Sequence, residues 1–155
     1  MAESRGKPNI REISLEEVQN FRYRVLRPKE RAHSVYQLDA VAGTRHVGAF
    51  VGDDLAGVAT VCHEPIPGTC SNSTWRLRGM ATAGEFRGHG IGSQLAEDCF
   101  AYARSQGGTV VWCSARLSAI GFYQAVGFEP HDESFTLPEY SSEQYVLMKH
   151  SLRTD

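Results

Sequence analysis

Two spacings of apolar residues alternate along the chain, and the points where they switch delimit its elements. Asn9-Ile10-Arg11-Glu12-Ile13 alternates weakly and predicts a short strand. Ser14, with Glu17 three positions on, makes a capping box, so a helix begins near Leu15. Leu15, Val18, Phe21, Val25 and Leu26 recur at threes and fours along it, and Pro28 stops it. Residues 29–44 have no period and predict a loop, with one helical turn around 35–38. Apolar runs over 46–63, parted by Gly52-Asp53, predict a β-hairpin.

Pro65, Pro67 and Gly68 break that pattern, and the alternation from Trp75 to Thr82 predicts another strand, followed by the turn Arg87-Gly88-His89-Gly90-Ile91-Gly92. Helical spacing returns with Ile91, Leu95, Cys99, Phe100, Tyr102 and Ala103 and ends at Gly107-Gly108. The wholly apolar run over 109–113 predicts a buried strand of the parallel type. A second helix is expected over 117–126, capped by Gly127, and two last strands over 134–137 and 144–150, joined by a loop carrying Pro138. The order β-α-loop-β-β-β-α-β-α-β-β predicts an α/β (α+β) fold, a central sheet flanked by helices, in one domain over 1–155.

Composition narrows the class. The chain has 155 residues, 41% of them hydrophobic and 22% charged, the balance of an ordinary globular domain rather than a disordered or fibrous chain. Sixteen Lys and Arg against 18 Asp and Glu leave a net charge of -2, so no overall basic field favours nucleic acid. No apolar run reaches membrane-spanning length and the start lacks a signal-type apolar region, so a soluble, cytoplasmic protein is expected. Cys62, Cys70, Cys99 and Cys113 form neither a CxxC pair nor a zinc set, and His33, His131 and His150 show no ligand spacing; reduced thiols and no metal are expected.

The candidate chemistry centres on the glycine turn. Gly88, Gly90 and Gly92 leave backbone N–H groups open at a helix N-terminus, a nest suited to an anion, and Arg87 adds a cation able to pair with phosphate. The simpler reading is a tight strand-to-helix turn. G-x-x-x-x-G-K-[ST] is absent, and the dinucleotide pattern G-x-G-x-x-G fails at Ser93. The spacing that does fit is R-x-x-G-x-G, on Arg87, Gly90 and Gly92.

With that motif the chain resembles the GNAT superfamily of acyl-CoA-dependent N-acyltransferases. The string from Met80 to Gly92 is similar to the family's pyrophosphate-binding strand-loop-helix, and Ala119-Ile120-Gly121-Phe122-Tyr123-Gln124-Ala125-Val126-Gly127-Phe128 to its penultimate helix of form A-x-x-x-Y-x-x-x-G-F. The resemblance covers roughly residues 8–150. It implies acetyl transfer from acetyl-CoA to an amine, a GNAT-like mixed sheet, and a possible homodimer. Met80, Ala81 and Thr82 would lie along the pantetheine arm, while Arg87, Gly88, His89, Gly90, Ile91, Gly92 and Ser93 would hold the pyrophosphate. An N–H near Met80 or Ala81 would polarise the acetyl carbonyl. Tyr123 would be the general acid for the departing thiolate, its bland alternative being a core aromatic.

Two departures stand out. Arg116 takes the place of an asparagine common in the family, and the strand Trp75-Arg76-Leu77-Arg78 lacks the carboxylate that many relatives use as general base. Water, a backbone carbonyl, His63 or Glu64 remain as bases, and Cys113 offers a minor covalent route. Arg76 and Arg78, two apart on one strand face, are candidate substrate-binding residues for an acceptor bearing a carboxylate, with Arg22, Arg24 and Arg27 as further positive charge. The rival reading is a CoA-binding regulator or inactive homologue; a longer-chain acyl donor is a third. Acceptor choice is expected to fall to residues 27–44, the hairpin and residues 131–144.

Overall fold

Ser14 Oγ accepts from the Glu17 amide at 3.0 Å while the Glu17 carboxylate accepts from the Ser14 amide at 2.8 Å, and helix α1 (Leu15–Val25) starts from this reciprocal cap. The computed structural model describes residues 7–26, 34–136 and 144–152, so Arg27, Pro28, His33 and Pro138 lie outside the described residues. Val18 and Phe21 turn inward from α1, whereas Leu15 stays exposed at the helix start.

Seven strands form one sheet: β1 (Asn9–Glu12), β2 (Arg45–Val51), β3 (Asp54–His63), β4 (Thr74–Thr82), β5 (Val110–Arg116), β6 (Glu129–Thr136) and β7 (Gln144–Ser151), in the order β1-β2-β3-β4-β5-β7-β6. Gly52 takes φ +63° in the predicted β2–β3 turn, a conformation open to glycine at little cost. Helix α2 (Ile91–Ser105) lays Leu95, Cys99, Phe100 and Ala103 on one face of the sheet, and α1 covers the other around Val58 and Phe50. With both faces covered, β3 is buried from Ala56 to Cys62, which explains its continuous apolar run.

The strand predicted as parallel is so only at one end. β5 pairs with β4 through three residue pairs, Thr74 with Val110, Trp75 with Val111 and Arg76 with Trp112, and with β7 antiparallel along its whole length. On its other edge β4 carries a bulge: the partner of Val58 is Ala81 but that of Thr60 is Arg78, so β4 spends one extra residue there. Gly79 supplies it at φ +65°. Beyond Arg76 and Trp112 the two central strands part, and the gap between them is the feature on which the site is built.

Other boundaries moved. The helix expected over 117–126 is a 3-10 turn (Leu117–Ala119) followed by a six-residue α3 (Ile120–Ala125), because β5 continues through Arg116 in extended geometry. β6 begins at Glu129 rather than 134, with an irregular register between Pro130 and Ser134 that hides its alternation. The turn expected around 35–38 is a chain of i to i+3 bonds reaching Thr44.

Candidate active site

Between the end of β4, the start of α2 and α3 lies a cavity of about 690 Å³. Met80, Ala81, Thr82, Arg87, Gly88, Gly90, Ile91, Gly92 and Ser93 line it; the exposed His89 does not. Gly90 caps α2 in the left-handed region (φ +77°) and Gly88 sits at φ +84°. A Cβ on either would meet no atom within 4 Å, so these glycines set the backbone turn and leave the ground before the helix N-terminus open. Gly92 has another reason: its Cβ would stand 2.9 Å from Phe122 Cζ, so it lets α3 dock against α2. The Arg87 Nε donates to the Thr82 carbonyl at 3.4 Å, folding that side chain across the strand end.

A second cavity, about 270 Å³, opens on the face of β4 that carries Arg76 and Arg78. Leu26, Met80, Ser118, Ala119 and Tyr123 line both cavities and so mark their junction. The Tyr123 ring packs edge-on against Phe122 and Phe128, 5.1 and 5.4 Å between centroids. Burial raises its pKa above the ordinary phenol value, with Cys113 and Tyr36 acting in the same direction and Arg116 opposing, so the hydroxyl keeps its proton at neutral pH. Burial also pushes the Cys113 thiol up to about 12, leaving it a packing residue without thiolate character.

The smaller cleft is lined by Arg76, Arg78 and Arg116 together with Tyr36 and Tyr145. Arg76 reaches both Glu64 carboxylate oxygens at 3.4 Å and lies 4.8 Å from the Trp112 ring centre. Its pKa is lowered by burial first and by neighbouring Arg78 second, with Glu64 pulling the other way. Of the base candidates, Glu64 is thus engaged with Arg76, and His63 faces elsewhere, against Trp75 with its ring bonded to the Asn72 carbonyl.

Arg22, read from the sequence as further positive charge for the acceptor, is instead wholly buried. Its guanidinium donates to both Asp39 oxygens at 2.7 and 3.0 Å, to Thr60 Oγ1 at 2.7 Å and to the Ser34 carbonyl at 3.0 Å. Burial by itself would raise the Asp39 pKa, but the hydrogen bond and charge of Arg22, with Gln19 and the Tyr36 amide, hold it below the usual carboxylate value. His46 completes the group, contacting Thr60 Oγ1 at 2.8 Å and the Asp39 carbonyl at 3.0 Å. This network pins the segment bearing Tyr36, whose ring lies 3.8 Å from the Arg22 guanidinium carbon, onto the wall of the smaller cleft. The available signal was a charged residue on the Val18, Phe21, Val25 stripe of α1; nothing marked Asp39 as its partner.

The profile of the Acetyltransferase (GNAT) family matches residues 11–128. The chain belongs to that family. An uncharacterized N-acetyltransferase of Bacillus subtilis (strain 168), YitI, is 31% identical over 146 residues, covering 94% of this chain and 97% of its own. Among solved structures, Escherichia coli ElaA superposes with a TM-score of 0.72 at 16% identity, over 92% of this chain and 99% of its own. An aminoglycoside 6'-N-acetyltransferase complexed with coenzyme A gives 0.70 at 13% identity, over 95% and 98%. This GNAT protein is therefore an acetyltransferase by family, and its mixed seven-stranded sheet is the family's fold. Among the described residues no helix is long and apolar enough to cross a membrane, and no three His, Cys, Asp or Glu side chains are grouped to hold a metal ion.

Proposed function

We propose that the protein moves acetyl from acetyl-CoA to a primary amine by direct attack in a ternary complex, with Tyr123 as general acid. The observation that carries this reading is the position of Tyr123 at the junction of two cavities, one with an anion nest and one lined by polar side chains. The chain's own groups fit the cosubstrate. The open N-terminus of the 15-residue α2 and Arg87 suit a pyrophosphate, and the stretch Met80, Ala81, Thr82, beyond the pairing with β5, suits an amide-bearing arm. Acetyl-CoA supplies the activated thioester.

The amine nitrogen forms its bond to the acetyl carbon, the carbon–sulfur bond breaks, and the Tyr123 hydroxyl gives its proton to the sulfur. The proton lost by the amine passes through water and returns Tyr123 to its neutral form. A backbone N–H near Met80 or Ala81 faces the carbonyl oxygen as it gains charge. The arginines of the cleft disfavour the ammonium form of the acceptor, which eases deprotonation where β4 provides no carboxylate. Free Cys70, exposed, and three buried free thiols suit a reducing compartment, and on that ground the protein is assigned to the cytoplasm.

The regulator reading is favoured by one observation: Glu64, the carboxylate nearest the strand's role, is tied to Arg76. Calorimetric titration with acetyl-CoA and CoA, on wild type and on Gly90→Glu, tests the cosubstrate. Binding that weakens by at least 100-fold in the variant is the expected result. Folded wild type that binds neither ligand refutes the reading, and tight binding without CoA release in an amine screen selects the regulator.

A further inference from the structure

We infer that the acceptor amine also bears a carboxylate, and that Arg78 is the side chain that binds it. This rests on the acetyl transfer proposed above and adds the chemical class of the acceptor. Among the described residues the smaller cleft has three arginines on its wall and no aspartate or glutamate. Arg76 has its counter-ion in Glu64. Arg78 does not: its guanidinium carbon lies 3.9 Å from the Tyr36 ring centre and no carboxylate among the described residues pairs with it, while its Nε, like those of Arg76 and Arg22, is buried without a hydrogen-bond partner.

A desolvated donor on a charged group costs free energy until something accepts from it. The ring beneath Arg78 is itself fixed, because Arg22 lies against Tyr36 as well and is already neutralised by Asp39. Arg78 is thus a planar fork on a rigid platform, and a carboxylate is the group such a fork takes through two parallel bonds. The anionic groups of the cosubstrate are assigned to the other cavity, at the start of α2, so they leave this charge unspent. An acceptor with a second ammonium, such as a polyamine, would place it beside the Arg78 guanidinium and be repelled.

The test measures CoA release with matched acceptors: amino acids, their amides, and the amines left when the carboxyl is removed. Wild type is expected to favour at least one acid over its amide and its decarboxylated amine by tenfold or more in kcat/KM. Arg78→Gln is expected to raise KM for that acid by tenfold or more and to erase its preference over the amide, and Arg78→Lys to regain part of that preference. Unchanged acetyl-CoA binding and a wild-type circular-dichroism spectrum show that each variant is folded. Equal or better use of amides or decarboxylated amines overturns the inference. So does an intact preference in Arg78→Gln, whereas a panel that stays silent while acetyl-CoA binds selects the regulator and ends the transfer reading with it. Loss of acetyl-CoA binding in wild type refutes the transfer reading itself, so the two failures are told apart.

Discussion

Replacing Asp39 with asparagine leaves the Arg22 guanidinium, 0% exposed, without its counter-charge at the centre of the α1 face. Breaking a buried pair by removing one partner costs about 3–5 kcal/mol, a large share of the roughly 5–15 kcal/mol that keeps a domain folded. At about 3 °C per kcal/mol for a domain of this size, Tm should fall by about 9–15 °C. Thermal and urea unfolding of Asp39→Leu, Arg22→Leu and the double variant should give a double loss well short of the sum, a coupling of about 2–3 kcal/mol. pH supplies a second arm. The folded-state pKa of Asp39 is depressed, so its contribution is complete above the unfolded value of about 3.9 and is lost as pH falls through the lower folded value. The stability gap between wild type and Asp39→Asn should be flat from pH 8 to about 5 and narrow below about 4. A gap under about 1 kcal/mol at neutral pH, or additive single losses, would refute the view that this pair anchors the cleft wall.

Two further expectations concern the chemistry. Tyr123→Phe should lower kcat by about 10²–10³-fold while acetyl-CoA binding by calorimetry stays within a few-fold, since only proton donation is removed; because the phenol pKa is raised, no alkaline loss of activity from Tyr123 should appear below about pH 10. Cys113→Ala should keep most of the turnover and cost about 1 kcal/mol or somewhat more in denaturant unfolding, as expected of a buried thiol used for packing; loss of activity with intact acetyl-CoA binding would revive a covalent route.

Most of the scaffold was legible because it follows from local chemistry. The capping box, the Gly52-Asp53 turn, the α2 stripe and the terminating glycines each act within a few residues, and each stands where its residues put it. The glycine loop was equally plain, although Gly92 turned out to answer to Phe122, a neighbour 30 positions away that no spacing rule announces. What escaped was non-local. Asp39 lies in a segment without period and gains meaning only when Arg22 and His46 reach it from α1 and β2, with Thr60 of β3 bonded to both. The parting of β4 from β5 after three pairs is likewise a property of two strands and a bulge, not of either sequence.

Gly79 joins these two hidden features. Its positive φ makes the bulge that turns β4 as it leaves β5, and a Cβ there would meet Arg22 Nε and Tyr36 Cε2 at 2.9 Å each. The missing side chain therefore does two things at once. It lets the β4 backbone bend where the two cavities meet, and it lets the Arg22 guanidinium and the Tyr36 ring close over the strand beside Arg78. Any larger residue would strain the backbone conformation and push apart the buried pair that fixes the platform under Arg78. Stability of the α1 face and the shape of the acceptor cleft are thus set by the same few atoms, so a change made to either must alter the other.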